Sequence, residues 1–242
     1  MREKFLDIWP IWNFALSRES RFGFLMAVSV VLVPSLSVFY GLTNRLMEVN
    51  GNTVWDPSFY LDHQIPFLAW TIVFYHTLYI VFYPLPWISM PDTERSRKEM
   101  LICSQAMFVT SVISCTIFAI LPAEVYTRTV AMESIAANPG WYNPMYEWLW
   151  KLDTPYNAWP SLHVSTAALI TIFSIHWWKE RPVLQWSIGI LWILMCISIL
   201  TTKQHFIWDL VTGLLLTAGI WRWQIVPGLE KIKYASTEDV TS

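Results

Sequence analysis

No charged side chain interrupts the stretch Val183-Leu184-Gln185-Trp186-Ser187-Ile188-Gly189-Ile190-Leu191-Trp192-Ile193-Leu194-Met195-Cys196-Ile197-Ser198-Ile199-Leu200. A helix needs about 20 mostly apolar residues to cross the hydrocarbon core of a bilayer, so this stretch predicts a membrane-spanning helix. The whole chain has the same character, since 55% of its 242 residues are hydrophobic. Only 14% are charged, against about 25% in ordinary globular domains. The composition therefore predicts a membrane protein.

Five further apolar stretches complete a predicted set of six transmembrane helices, so the predicted fold class is an all-α, polytopic membrane protein. The six predicted spans are 22–42, 65–87, 100–121, 162–178, 183–200 and 206–223. They lie in a membrane domain over 22–229, between an N-terminal segment (1–21) and a polar, mobile tail (230–242). Within the N-terminal segment, residues 5–16 predict a short helix lying along the membrane interface, and no removable signal peptide is expected.

The lysines and arginines predict the orientation, because cytoplasmic loops carry an excess of them. One side of the predicted topology holds both termini and twelve of the sixteen basic residues, and the other side holds Arg45, Arg128, Lys151 and Lys203. Both termini are therefore expected in the cytoplasm, and the long loop over 122–159 outside. The four tryptophans of that loop suggest that it lies against the outer interface.

Charge and cysteine content exclude some partners. The net charge of −2 gives no clustered basic surface, so no nucleic-acid partner is expected. Cys103, Cys115 and Cys196 all lie inside apolar stretches, which indicates small buried side chains rather than disulfides or metal ligands.

The fourth predicted span opens with Ala158-Trp159-Pro160-Ser161-Leu162-His163. Proline suits the first position of a helix, and the free N–H groups of a first turn attract anions. Ser161 adds a hydroxyl group and His163 a titratable donor beside those amides. This helix start is therefore a candidate phosphate site.

The sixth predicted span opens with Thr201-Thr202-Lys203-Gln204-His205-Phe206-Ile207-Trp208-Asp209. His205 and Asp209 are four residues apart, so they are expected on one helix face, where the carboxylate can fix the imidazole tautomer. Gly213, one turn further, is expected to let a neighbouring helix approach closely. Because one span separates the fourth from the sixth, both start at the same membrane face, which the charge bias places outside. Arg128 and Lys203, cations on this sparsely basic side, are candidate phosphate ligands.

These two motifs, Pro160-Ser161-Leu162-His163 and Lys203-Gln204-His205-x3-Asp209, resemble those of the type 2 phosphatidic acid phosphatase (PAP2) superfamily. The longer string Asp153-Thr154-Pro155-Tyr156-Asn157-Ala158-Trp159-Pro160-Ser161-Leu162-His163 resembles the branch that contains inositol phosphorylceramide synthases. The resemblance covers the chain from about Met100 onward and implies a PAP2-type bundle of six helices. The first two predicted spans match by position and character alone.

The resemblance also implies a role for each site residue. His205 is expected to attack phosphorus and form a phosphohistidine, Asp209 to orient it, and His163 to act first as acid and then as base. Arg128, Lys203 and Ser161 are expected to hold the phosphoryl oxygens. Phosphoryl transfer needs mainly positioning and charge neutralisation, so neither a metal nor a cofactor is expected.

Several positions depart from the superfamily pattern. Its first motif, Lys-x6-Arg-Pro, is absent before the fourth span, and the only Arg-Pro pair is Arg181-Pro182. Thr129 stands where a proline usually follows the arginine of the closer branch, and Ile199 replaces the arginine of the third motif. Lys203 is the candidate that restores the lost charge.

The interpretation is a lipid phosphatase of the outer membrane face, with a lipid phosphotransferase as the alternative. Phosphatidate, phosphatidylglycerol phosphate, polyprenyl diphosphate, lipid A and sphingolipid phosphates are all possible substrates. Two other classes are a haem-binding cytochrome, because His63 and His76, like His163 and His176, are thirteen apart, and a non-catalytic lipid transporter or scaffold.

Simpler structural roles compete for individual residues. The alternative role of Arg128 and Lys203 is that of interfacial anchors, and that of Ser161 is a helix cap. The histidines could pack between helices, although ionisable groups inside membranes are usually functional. Lys151, Asp153 and Asn157 are assigned to loop structure. Tyr142, Tyr146 and the tryptophans of the outer loop are expected to select the lipid.

Overall fold

The computed structural model describes residues 7–50 and 53–241, and the regular secondary structure of this part of the chain is helical. No strand occurs within those ranges; the nearest approach is an isolated parallel bridge between Ala123 and Asn157. The all-α fold class is therefore confirmed. Nine longer elements are numbered here within the same ranges: α1 Arg21–Asn50, α2 Ala69–Phe82, α3 Glu94–Ile120, α4 Arg128–Ala137, α5 Asn143–Leu152, α6 Leu162–Trp177, α7 Pro182–Thr201, α8 Ile207–Ile220 and α9 Val226–Thr241.

Three helices of the described chain are long and apolar enough to cross a membrane, namely Arg21–Val49 in α1, α3 and α7. Helices α2 and α6 are apolar but shorter. The apolar helices indicate a membrane protein, whereas only three of the six predicted spans meet the length and composition required. The α8 helix has 14 residues, and a π-helical turn, Trp221–Ile225, joins it to α9.

The second predicted span, 65–87, is not one regular helix. Its α2 element starts as a 3₁₀ turn, Ala69–Thr71, continues as Ile72–Thr77 and ends in a π-helical turn, Leu78–Phe82. A separate short helix, Leu85–Ser89, follows Pro84. Proline lacks an N–H group and clashes with the preceding turn, so a break at this position is expected.

Helix α6 lies at the centre of the bundle and packs against α3, α7 and α8. Nearly every side chain of its first three turns is buried, the polar Ser165 and Thr166 included. Both hydroxyl groups donate to carbonyl oxygens one turn back, at Ser161 and Leu162. A helix surrounded on all sides holds its first turn in a fixed position, which matters for His163.

The N-terminal segment packs against the bundle. Residues 5 and 6 of the predicted interfacial helix lie outside the described ranges, and the remainder forms two short helical turns, Pro10–Trp12 and Asn13–Leu16. Trp12 is buried in the core, and the Trp9 backbone N–H donates to the Gln105 side chain of α3 at 3.2 Å. The N-terminal segment therefore packs on the bundle, and its place along the membrane interface stays a prediction.

The structure also bears on the C-terminal segment and on the cysteines. The segment predicted as a mobile tail from residue 230 is helical through Thr241 and forms the second part of α9. All three cysteines are free and buried, which confirms their interpretation as small buried side chains.

The predicted outer loop over 122–159 contains α4 and α5. Tyr146 and Leu149 of α5 are fully buried in the main core, and the Tyr146 hydroxyl donates to the carbonyl of Ala69 at 3.2 Å. Tyr146 therefore anchors this loop against the start of α2. That buried position corrects the expectation that its side chain is available for selecting a lipid.

Candidate active site

Helix α6 begins with a capped first turn that carries His163. The Ser161 hydroxyl accepts from the Val164 backbone N–H at 3.4 Å, which is the capping role anticipated for it. The Ser161 backbone N–H donates in turn to the carbonyl of Asp209 at 3.1 Å. The first turn of α6 is thereby attached to the first turn of α8, and both Ser161 and His163 are buried.

His205 and Asp209 form a hydrogen-bonded pair, with His205 Nδ1 3.2 Å from Asp209 Oδ2. Helix α8 begins only at Ile207, so His205 precedes the helix and does not share a helix face with Asp209. The pair forms because Asp209 reaches back towards the helix start, where the same carboxylate oxygen accepts the Phe206 N–H at 2.8 Å. Asp209 thus caps α8 and holds His205, and Nε2 of His205 points away from this bond.

The two histidines face one another across the α6–α8 contact. Their ring centroids are 5.5 Å apart and their planes are inclined at 65°. Gly213 makes this approach possible, because a Cβ atom there would lie 2.9 Å from the Ser161 carbonyl oxygen and 3.2 Å from Val164 Cβ. The close helix approach predicted at Gly213 is therefore confirmed, and the two motifs lie at one end of the bundle.

Lys203 has an unusual backbone and a buried side chain. Its φ angle is 58°, in the left-handed region that residues other than glycine rarely adopt. Its Nζ donates to the carbonyl oxygen of Asp62 at 2.8 Å. Burial lowers the pKa of Lys203, and the nearby Asp62 carboxylate partly opposes this effect. Strained residues of this kind concentrate at functional sites.

Asp62 is a site neighbour that the sequence analysis missed. Its Oδ1 accepts the Ile207 N–H at 2.7 Å and its Oδ2 accepts the Phe59 N–H at 2.7 Å, and the residue is buried. A carboxylate near a helix N-terminus is favoured by the free N–H groups and the helix dipole. Asp62 therefore fixes the start of α8, two residues after His205. Its sequence surroundings, Tyr60-Leu61-Asp62-His63, give no motif that distinguishes it.

Arg128 is buried at the start of α4 and is paired with Asp153. Its Nη1 donates to the Asp153 carbonyl at 2.7 Å and its Nη2 to Asp153 Oδ2 at 2.9 Å. The Tyr40 hydroxyl of α1 donates to the other carboxylate oxygen of Asp153. The buried position of Arg128 differs from that of an interfacial anchor. Its binding to phosphate stays a prediction, and Nε has no hydrogen-bond partner among the described residues.

Asn44 of α1 holds the chain that leads into α6. Its Oδ1 accepts from the Thr154 backbone N–H at 3.0 Å and from the Asn157 side chain at 3.3 Å. Its Nδ2 donates to the Leu152 carbonyl at 2.9 Å. Asn157 therefore has the structural role assigned to it from the sequence, and the partner that gives it this role lies more than 100 residues away.

Two tyrosines of α2 surround His163. The Tyr75 ring centroid is 4.4 Å from that of His163, and the Tyr79 hydroxyl is 3.4 Å from His163 Nε2. Tyr79 and Tyr75 are four residues apart, so they lie on one face of α2. Aromatic residues four apart in an apolar helix usually pack in a protein core. The sequence therefore gave no reason to assign these two tyrosines to the site.

The remaining histidines lie in other environments. His63 Nε2 is 3.1 Å from the Tyr126 hydroxyl, His76 Nδ1 is 3.0 Å from the Ile72 carbonyl, and His176 Nε2 is 3.4 Å from Glu99. Of the five histidines, all within the described ranges, only His163 and His205 face one another, and two tyrosines surround His163, an arrangement suited to proton transfer.

In the described part of the chain, no group of three or more His, Cys, Asp or Glu side chains could hold a metal ion.

A comparison with protein-family models identifies the PAP2 superfamily over residues 48–223. This match extends further towards the N-terminus than the resemblance noted from Met100 onward. No curated protein and no solved structure matches the chain.

Proposed function

The chain belongs to the PAP2 superfamily, whose members are generally phosphatases and related phosphotransferases, and we propose that it hydrolyses a lipid phosphate or diphosphate. One observation carries this proposal. His163 on α6 and the His205–Asp209 pair before and within α8 come from separate parts of the chain and meet with ring centroids 5.5 Å apart. A nucleophile held by a carboxylate, with a second titratable group opposite, suits a displacement at phosphorus.

In the first step, Nε2 of neutral His205 attacks the terminal phosphorus, and the bond from phosphorus to the departing oxygen breaks. His163, protonated at the start, gives its proton to that oxygen, which belongs to the lipid alkoxide of a lipid phosphate or to the lipid monophosphate released from a diphosphate. The Nδ1 proton of His205 stays in its hydrogen bond with Asp209, whose negative charge stabilises the phosphohistidine. General acid assistance of this kind typically contributes about 10²–10⁴-fold to the rate.

In the second step, neutral His163 takes a proton from water while the water oxygen attacks phosphorus. The bond between phosphorus and His205 breaks, inorganic phosphate leaves, and both histidines return to their initial protonation states. Ser161, Lys203, Arg128 and the free N–H groups of the first turn of α6 are proposed to hold the phosphoryl oxygens. Such groups act by neutralising charge, which is the main requirement of phosphoryl transfer.

A lipid phosphotransferase is the second candidate, because the string from Asp153 to His163 resembles the branch that contains inositol phosphorylceramide synthases. The first step would be unchanged. In the second, the hydroxyl group of another lipid would replace water and receive the group carried by His205.

The proposed topology has six membrane helices, cytoplasmic termini and the site on the extracytoplasmic side. The twelve basic residues on the side of the termini support it. Cysteine labelling from outside the cell tests this proposal, since Cys103, Cys115 and Cys196 are buried. Trp141→Cys is expected to react and Lys179→Cys to be protected. The reverse labelling pattern would show that the topology is the opposite of the one proposed.

The function is tested by a phosphate-release screen of purified protein across lipid phosphates, with and without EDTA. Activity is expected to survive EDTA and to be lost in His163→Ala and in His205→Ala. The matched control is His176→Ala, on α6 but at its opposite end, which should retain activity. Full phosphate release by His205→Ala refutes the mechanism. Transfer of a labelled head group between lipids without phosphate release would identify a transferase instead.

A further inference from the structure

A mainly apolar groove of about 480 Å³ extends from His163 along the bundle. Helix α1 forms one wall, the end of α2 and the following short helix form the other, and α3 and α6 close the back. This volume lies in the range of cavities that bind small molecules. Leu162 and His163 line one end of the groove, and Leu25 and Trp87 line the other.

The groove is open to the outside of the bundle along α1. Ser29, Val33 and Ser37 of α1 line it and follow one another at four-residue intervals, so they share one face of the helix. Val33 is 58% exposed although it lines the groove. Small side chains along an open wall leave room for a chain to enter sideways from a bilayer.

The groove is long compared with one leaflet. Its lining on α1 runs from Leu25 to Tyr40, and at about 1.5 Å per residue these fifteen steps correspond to about 22 Å. One leaflet contributes about half of the roughly 30 Å hydrocarbon core. The occupant that fits is therefore a long hydrocarbon chain, whose extended length exceeds the thickness of one leaflet.

We propose that this groove binds one hydrocarbon chain of the lipid whose phosphate meets His163 and His205, and that it sets the chain-length preference. This inference rests on the proposed function, because it places the phosphate at the two histidines. Lipid tails are as apolar as the groove, so the preference arises from fit within the walls rather than from transfer out of water.

Ser29→Trp tests the proposal, since an indole at that position fills the groove about 16 Å from Tyr40 along α1, eleven residues away. The matched control is Val30→Trp, one residue further on α1, which is 63% exposed and outside the groove lining. The assay compares kcat/KM for lipid phosphates with eight-carbon and with eighteen-carbon chains, in the same detergent.

Ser29→Trp is expected to lower kcat/KM for the eighteen-carbon substrate at least tenfold and to leave the eight-carbon value within twofold of wild type. Val30→Trp is expected to leave both values within twofold. An equal fold-change in kcat/KM for both chain lengths in Ser29→Trp would overturn the proposal, as would the same selective loss for the eighteen-carbon substrate in Val30→Trp. Ser29→Leu, a smaller obstruction, provides the same comparison with an intermediate effect if the tryptophan variant does not fold.

Binding of non-hydrolysable phosphonate analogues separates this proposal from the proposed function. Wild-type protein is expected to bind the eighteen-carbon phosphonate more tightly than Ser29→Trp does, whether or not it hydrolyses any lipid phosphate. A protein that shows this difference but hydrolyses nothing would refute the phosphatase activity and support the groove. Hydrolysis of lipid phosphates, together with equal binding of the eighteen-carbon phosphonate by wild type and Ser29→Trp, would refute the proposed role of the groove and leave the phosphatase activity standing.

Discussion

Gly213→Ala should damage the site without touching any of its titratable groups. The added Cβ would lie 2.9 Å from the Ser161 carbonyl oxygen, whereas ordinary contacts begin at 3.4 Å, so α8 and α6 must separate by about 0.5 Å locally. The obstacle on the α6 side is backbone, which cannot rotate away. Catalytic groups must be held within about 0.5 Å of their productive geometry, so the shift is comparable with the whole tolerance.

The expected cost in stability is modest. Inserting a methyl group into packed structure destabilises by about 1–3 kcal/mol, and replacing glycine by alanine inside a helix returns about 1 kcal/mol. A net loss of about 0–2 kcal/mol is therefore expected, together with a fall in kcat/KM of about 10- to 100-fold, because small misplacements strongly reduce catalysis. The loss of activity should thus exceed what partial unfolding would explain.

Gly189→Ala is the matched control, because a Cβ at that position of α7 meets nothing within 4 Å. It should keep full activity and gain a few tenths to 1 kcal/mol of stability. The assays are phosphate release from the substrate found in the lipid screen and thermal unfolding in detergent. If Gly213→Ala behaves like Gly189→Ala in both assays, the close contact between α6 and α8 does not position the site.

Three further perturbations address the neighbours of the histidines. Burial lowers the pKa of Lys203 below the ordinary lysine pKa of 10.5, so the side chain loses its positive charge below that pH. Activity should therefore fall as the pH rises towards 10.5. Lys203→Arg should move this alkaline limb to higher pH, and coincident pH profiles would exclude Lys203 as its source. Asp62→Asn should lower stability by about 1–3 kcal/mol and reduce kcat, since one of the two backbone N–H groups that it serves loses its acceptor. Thermal unfolding and kinetics check this against Asp56→Asn, and equal effects would contradict the role of Asp62 at α8. Asp153→Ala should destabilise by about 3–5 kcal/mol because it leaves the buried Arg128 charge unpaired. Lys151→Ala, an exposed neighbour, should be nearly neutral in the same unfolding assay, and an equally small effect of Asp153→Ala would show that the pair contributes little.

The starts of α6 and α8, beside His163 and Asp209, illustrate what the sequence determined. Proline and a capping hydroxyl group mark the start of α6, and the connectivity through α7 requires α6 and α8 to run in the same direction. These signals are local or follow from counting helices, so they can be identified in the sequence without knowledge of packing. The same reasoning predicted the glycine that allows α6 and α8 to approach.

The sequence did not predict the exact start of α8. Spacing alone placed His205 on the helix, whereas the Asp209 carboxylate caps the chain at Phe206 and leaves His205 before the first turn. The second predicted span was likewise expected to be regular, although α2 contains 3₁₀ and π-helical turns. Hydropathy records how apolar a segment is, and it does not record how its backbone hydrogen bonds are arranged.

The residues that hold the site could be found only from the tertiary structure. Asp62 contacts Ile207, Asn44 contacts Asn157, and Tyr40 contacts Asp153, each across more than 100 residues of chain. A polar side chain beside an apolar stretch has many possible partners, and the fold alone decides which one it meets. The sequence by itself therefore determined the membrane class, the two motifs and their shared end of the bundle. Tertiary packing decided the orientation of Lys203, the pairing of Arg128 and the groove that leads away from His163, because each depends on segments that the chain brings together only when it folds.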